Sequence, residues 1–330
     1  MTAAATPDTD ALTAHLVRRG LVDPSAGVQV RPLAGGVSND VVAVTGPGLD
    51  AVVKQALGRL RVAEEWLADP ARLDTEGRAL QLAGRIVPAA VPRVYDLADG
   101  YLVIERAPGS WVTWKQQLLA GVADAAVAGQ LGRVLGAWQR ATAGDPAVAR
   151  DFGDVTAFGQ LRVDPFHRTV AARHPDLADV VEETVQEMAA SRTCLVHGDY
   201  TPKNVLVAPD GAGVWVIDWE VAHLGDPTFD PAWTIGHLLL KTVHRPSSAA
   251  GYAAAGRAFL AALHDALDGA LALDPRQLVR QTGCLLLARV DGKSPADYLT
   301  DEQRPRVRDL ARRVLTDPPP TITDAWELLA

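Results

Sequence analysis

Residues 195–220, Leu195 to Glu220, read LVHGDYTPKNVLVAPDGAGVWVIDWE, and the rest of the chain is organised around them. Asn204-Val205-Leu206-Val207 and Val214-Trp215-Val216-Ile217 are short apolar runs separated by Pro209-Asp210-Gly211 and Gly213. That is the pattern of a β-hairpin. A polar loop, His197 to Lys203, leads into the first run, and Asp218 closes the second. Asp199, Asn204 and Asp218 therefore converge at one end of the hairpin. Two carboxylates and an amide are hard oxygen donors of the kind magnesium takes, an ion that keeps waters and completes its shell from phosphates. An Asp and an Asn are also common in turns that bind nothing. Residues elsewhere in the chain decide between the two readings.

Upstream, Val28 to Leu33 and Val41 to Thr45 are strand-like and flank the turn Ala34-Gly35-Gly36-Val37-Ser38-Asn39. Glycines let backbone amides approach an anion closely, so the tip formed by Gly35, Gly36, Ser38 and Asn39 is able to cover phosphates; an ordinary hairpin is the plain alternative. The next strand, Ala51 to Ala56, carries Lys54 among apolar residues. A lysine there is costly unless its ammonium finds a partner or reaches water. A nucleotide's phosphates are such a partner. Glu76, opening the helical stretch 76–82, is the glutamate expected to hold the ammonium, with Glu64 and Glu65 as rivals. The plain alternative for Lys54 is a position on an exposed sheet edge.

Val91 to Leu97 and Tyr101 to Glu105 form a second hairpin around Asp99-Gly100, making about five strands in all. Arg106-Ala107-Pro108-Gly109-Ser110 then breaks regular structure. The expected organisation is two lobes, residues 1–106 with a small sheet and residues 107–330 mainly helical, with a hinge between them. Backbone groups from Glu105 to Ala107 are placed to read an adenine edge in a cleft between lobes. Before the sheet, Asp8 to Gly20 reads as a short helix with Leu12, Leu16 and Val17 on one face, packing as a lid. Beyond the hinge, helical periodicity marks 123–142, 176–190, 230–243, 251–273, 275–290 and 301–315, interrupted only by the central hairpin.

The composition narrows the function. Of 330 residues 48% are hydrophobic, enough for a sizeable core. There are 32 basic and 40 acidic residues, net charge -8, with no basic run able to neutralise a row of phosphates, so nucleic acid is not expected as a partner. Cys194 and Cys284 lie in apolar surroundings without metal or redox spacing, which reads as buried reduced thiols in the cytoplasm. MTAAATPDTD lacks a basic start and an apolar core, and no apolar run reaches membrane-spanning length, so neither secretion nor insertion is expected.

Taken together these residues carry a resemblance. The chain resembles the aminoglycoside phosphotransferase and choline kinase-like superfamily, small-molecule kinases with a protein kinase-like α+β fold: a small antiparallel sheet lobe and a mainly helical lobe. The likeness spans about Val28 to Leu240 and rests most specifically on HGD-x-x-x-x-N at His197 to Asn204 and IDWE at Ile217 to Glu220, with GDPTFDPAW at Gly225 to Trp233 following. The resemblance implies ATP and Mg2+ as cofactors. It implies that Lys54, paired with Glu76, binds the α- and β-phosphates, that Asp199 accepts or orients the acceptor hydroxyl, and that Asn204 and Asp218 hold the metal. His197 is expected to brace the loop through backbone hydrogen bonds, and Asp226 and Asp230 to act as caps.

Two departures from protein kinases favour a small-molecule hydroxyl over a peptide as acceptor. Gly198 stands where the catalytic loop of those enzymes has an arginine, and little chain separates Asp218 from Asp230. Thr201 occupies the place of a lysine near the transferred phosphate, and Lys203 is its possible substitute. For the acceptor itself, Arg289 and Asp291 at a helix end, Glu220, and His167 with Asp164 and Arg168 in a long insertion are the candidate contacts. Each also reads as a helix end or loop in water. A sugar, an amino alcohol or an aminoglycoside-like molecule fits. The competing functions are a nucleotide-binding module without catalysis and a metal-dependent hydrolase using Asp199 and Asp218.

Overall fold

The turn Asp99-Gly100 sets one end of the sheet in the first part of the chain. Both residues take left-handed φ, 52° and 77°, the twist that lets two strands return on each other without splaying. In the computed structural model, which describes residues 8–25, 27–33, 39–57 and 69–329, the chain divides into two compact units, Met1–Gly109 and Ser110–Ala330.

The first unit holds strands β1 (Gln29–Pro32), β2 (Asn39–Gly46), β3 (Leu49–Ala56), β4 (Val94–Ala98) and β5 (Tyr101–Glu105), with helices α1 (Thr9–Arg18) and α2 (Arg72–Ile86). The strands form one antiparallel sheet in the order β1-β2-β3-β5-β4. Lys54 lies between Val41 and Leu102 in the register, on an interior strand. Asp8 caps α1 by accepting from the Asp10 and Ala11 amides, and the helix inserts Leu12 and Leu16 among Val42, Val44, Val53 and Val103. Two leucines with no exposed surface contribute roughly 1.5–3 kcal/mol each, so α1 is part of this unit's core. The expected packing of this helix on the first unit is seen, through Leu12 and Leu16. On α1 itself, the buried His15 reaches Asp96 at 3.0 Å and Asp99 at 3.3 Å.

The second unit begins with β6 (Val112–Thr113), α3 (Trp114–Leu119), α4 (Ala125–Thr142), α5 (Pro146–Asp151) and α6 (Thr156–Phe158). A π-helical stretch, Gly159–Arg168, carries Pro165 and runs into α7 (Thr169–Arg173). After α8 (Ala178–Ala190) come the short strands β7 (Cys194–Val196), β8 (Val205–Val207), β9 (Val214–Val216) and β10 (His223–Gly225). The unit is completed by α9 (Phe229–His244), α10 (Ala249–Leu267), α11 (Pro275–Asp291) and α12 (Gln303–Thr316).

β8 and β9 form the hairpin read from the sequence, with β6 added on the β8 side, and β10 pairs antiparallel with β7. The expectation that one hairpin alone interrupts the helices is therefore corrected: β6, β7 and β10 have two or three residues each, too few to show a period of two. α10 also ends earlier than the expected Leu273. Asp268 and Gly269 both take left-handed φ, 49° and 73°, which a right-handed helix does not accommodate.

Candidate active site

The loop between β7 and β8 is fastened from three directions. Asp199 donates its backbone N–H to His197 Nδ1 at 3.0 Å, and the opposite ring nitrogen, Nε2, donates to the Ile217 carbonyl at 3.1 Å. These bonds require a neutral ring, and burial holds the His197 pKa down to about 4. Asp230, in the first turn of α9, does more than cap: its two carboxylate oxygens accept from the backbone N–H groups of His197 (2.7 Å) and Gly198 (2.9 Å). Asp226 keeps the expected local role, accepting from the Thr228 amide. Tyr200 donates its hydroxyl to Leu131 O in α4, and Thr234 of α9 donates to Tyr200 O. Gly198 is demanded by this geometry. Its φ is +80°, and a Cβ there would meet Val221 O at 2.8 Å.

Asp199 is buried, and one of its oxygens collects three donors. Arg162 Nη2 lies 2.8 Å from Oδ2, Lys203 Nζ 3.0 Å, and Asn204 Nδ2 2.8 Å. Burial pushes the carboxyl upward, but Arg162 and Lys203 outweigh it and hold the group below its ordinary value, so it is ionised at neutral pH. Arg162 also donates to the Gly198 and Leu161 carbonyls. It fixes the loop backbone and the carboxylate together. Asn204 uses Nδ2 on both Asp199 O and Oδ2, so Oδ1 is the oxygen it can present to a ligand. Asp218 sits at the end of the hairpin with φ +71°, a costly conformation for a residue with a side chain and one that recurs at functional positions.

In the first unit, Lys54 Nζ and Glu76 Oε1 lie 2.6 Å apart, both buried. α2 reaches β4 closely enough to place Glu76 because Gly77 follows it; a Cβ at 77 would lie 2.7 Å from Leu97. Asn39 is buried at the start of β2. Glu105 closes β5, with its amide donating to Arg93 O and its carboxylate accepting from the Arg93 amide, and Ala107 follows in the irregular segment before Gly109. Gly35, Gly36 and Ser38, and the rival acids Glu64 and Glu65, lie outside the described residues.

The acceptor candidates separate. Asp291 is gripped by Arg308 through two bonds of 2.7 Å and by His174 at 2.9 Å, which ties α11 to α12. His167 has no exposed surface, bonds Gln281 at 3.1 Å and stacks on Trp233, so it packs in the core. Asp164 and Arg168 pair with each other on the surface. Glu220 is buried. Arg289 is partly buried and close enough to Asp199 to feel its charge. Sequence reasoning missed Arg162, and it missed Lys241 and His237 on α9. Lys241 had a visible signal, a lysine inside the apolar run IGHLLLKTV, the same anomaly that drew attention to Lys54.

The model for the phosphotransferase enzyme family matches residues 29–270. The chain belongs to that family. Among solved structures, its fold is similar to a macrolide 2'-phosphotransferase from Brachybacterium faecium (21% identity, 94% of this chain and 99% of that chain, TM-score 0.51). It is similar also to a choline/ethanolamine kinase family protein from Mesorhizobium loti (16% identity, 97% and 99%, TM-score 0.53) and to a Plasmodium vivax ethanolamine kinase (8% identity, 95% and 91%, TM-score 0.57). These likenesses establish the two-part protein kinase-like fold. A curated relative, the 4-hydroxytryptamine kinase of Psilocybe cyanescens, is 29% identical over 94 residues, which is 25% of this chain and 26% of that protein's length. Among the described residues, no helix is long and apolar enough to cross a membrane.

Proposed function

We propose that this phosphotransferase moves the γ-phosphate of ATP to a hydroxyl of a small molecule. The observation that carries the reading is the Asp199 carboxylate, buried, ionised, and anchored by Arg162, Lys203 and Asn204. Phosphoryl transfer passes through a loose transition state and asks the protein for positioned groups and balanced charge more than for a strong base. Asp199 suits that demand. With its pKa depressed it is a weak base, so it orients the acceptor hydroxyl in line with the phosphorus and takes the proton late, when the new P–O bond has made that proton acidic.

For the nucleotide, the first unit offers Lys54, held by Glu76, as a cation for the α- and β-phosphates. The second unit offers Asn204 Oδ1 and the Asp218 carboxylate, a donor set of hard oxygens that fits magnesium with phosphates and water completing the shell. The ion would supply neutralisation of the phosphate charge. Lys203, 3.0 Å from Asp199, is placed to stabilise the transferring group in place of the lysine that Thr201 replaces. Cys194 and Cys284 are free and buried, which suits a reducing compartment, the cytoplasm.

The test is ADP formation from ATP and Mg2+ across sugars, hydroxy acids, amino alcohols and aminoglycosides. Turnover with at least one acceptor is expected to fall about 10³-fold or more in Asp199→Asn, with ATP still raising the melting temperature. Unchanged turnover in that variant would sink the mechanism.

A further inference from the structure

One face of α9 carries an arrangement that the transfer chemistry does not use. His237 and Lys241 lie one turn apart and are 9% and 1% exposed. Lys241 Nζ donates to the Tyr298 hydroxyl at 3.1 Å and rides 4.6 Å above that ring; among the described residues no carboxylate pairs with it. Lys115 of α3 lies 5.7 Å from the centroid of the same ring. Its own partner is Asp297 at 3.3 Å, whose side chain is 76% exposed and therefore screened by water. Arg289, from the last turn of α11, gives Nη1 to Ser294 and keeps a buried Nε without a partner, as does His237 with Nδ1.

Three cations thus face a single exposed acid. These groups lie near the loop between β7 and β8. Arg289 feels the Asp199 carboxylate, and His237 feels Lys203 as well as Lys241 and Arg289. Desolvation and the nearby Arg289 and Lys115 push the Lys241 ammonium well below its ordinary pKa. A buried unpaired ammonium costs folding free energy. Such a cost is retained where binding repays it.

The geometry points to an acceptor that carries an oxyanion, a carboxylate or a phosphate monoester, seated between Lys241, Arg289 and His237 with its hydroxyl at Asp199. The inference rests on the kinase reading and deepens it. A cationic acceptor such as an aminoglycoside or an amino alcohol would meet like charge at this wall. An oxyanion supplies the counter-charge and acceptor that this cluster lacks: to the ammonium, to the guanidinium, and to an imidazole whose tautomer can turn its N–H toward the ligand.

The experiment compares acceptors matched in size: glycerate, glyceramide and 3-amino-1,2-propanediol; 4-hydroxybutyrate, its amide and 4-amino-1-butanol; glycerol 3-phosphate and glycerol; and sugar acids against their parent sugars and aminoglycosides. The anionic member of at least one set is expected to exceed its neutral and cationic counterparts tenfold or more in kcat/KM, the carboxylate and phosphate sets showing which oxyanion is meant. In Lys241→Met the KM for that acceptor should rise tenfold or more, while the free protein melts no lower than wild type. A merely structural Lys241, held by Tyr298, would instead lower the melting temperature and leave the acceptor preference alone. A neutral or cationic compound as the best acceptor overturns the inference and leaves the kinase reading intact. If no compound in the set turns over, malate and inorganic phosphate, each added with Mg2+ and a non-hydrolysable ATP analogue, decide it. They should raise the melting temperature of the wild type but not of Lys241→Met, and no shift in the wild type overturns the inference. No stabilisation by ATP with Mg2+ would overturn the kinase reading itself.

Discussion

Arg162 and Asp230 fasten the same loop with opposite charge, and each can be tested alone. Arg162 holds Asp199 below its ordinary pKa against the upward push of burial. In Arg162→Met that downward pull is lost, so the acid limb of the kcat/KM profile is expected to move to higher pH, with kcat reduced even on the plateau. A profile displaced only vertically would show that Arg162 acts on the backbone through Gly198 O alone. Asp230→Ala leaves the His197 and Gly198 amides buried without acceptors. At roughly 1–3 kcal/mol for each orphaned group, urea denaturation should show a loss of about 2–6 kcal/mol, and turnover should vanish with the loop geometry. The spacing of His197, Asp199 and Asn204 was legible because one short loop carries it. Arg162 was not, because it comes from a π-helical stretch 36 residues before Gly198 and approaches only through packing.

At the scale of elements, the five-stranded sheet and the hairpins follow from alternation and turn chemistry, and the strands of that sheet agree with the periodicity to within a few residues. Placement of elements against one another is a different matter. The sequence showed the apolar face of α1 but not its partners, which are Val42, Val44, Val53 and Val103 around Leu12 and Leu16. Leu16→Ala is therefore expected to cost about 2–5 kcal/mol, measured as a lower denaturation midpoint; a cost under about 0.5 kcal/mol would show that α1 contributes little to the core. α2 is likewise set by contact. Gly77→Val puts branched methyl groups where Cβ alone already sits 2.7 Å from Leu97. Overpacking of this kind costs about 1–3 kcal/mol, and the shift of α2 should separate Glu76 from Lys54 and raise the KM for ATP more than it lowers stability.

Across the whole molecule, acid should be the most damaging condition. Burial holds His167, His197 and His223 down to about 4 and His237 well below its ordinary value. A histidine whose folded pKa is depressed contributes stability in full above about 6.5, and that contribution is lost as pH falls toward the folded value. By pH 4 the loss is on the order of 3 kcal/mol for each of the first three. Asp226 and Asp230 work the other way, since burial raises both and the folded state takes up their protons as pH falls. Four groups against two leaves a net fall in unfolding free energy between pH 6.5 and 4, with net proton uptake on unfolding; denaturant titrations at stepped pH would show a flat profile if the histidines were accessible in the folded state. By itself the sequence determined the order of the main elements, the central hairpin, the family and the candidates for the site, because periodicity and motif spacing are properties of a few consecutive residues and survive without any long-range contact. Tertiary structure alone decided which cations surround Asp199, that Asp291 and His167 belong to the packing, and that His237, Lys241 and Arg289 share one wall, because those pairings depend on which helix faces meet, and residues far apart in the chain carry no mark of it until the core has formed.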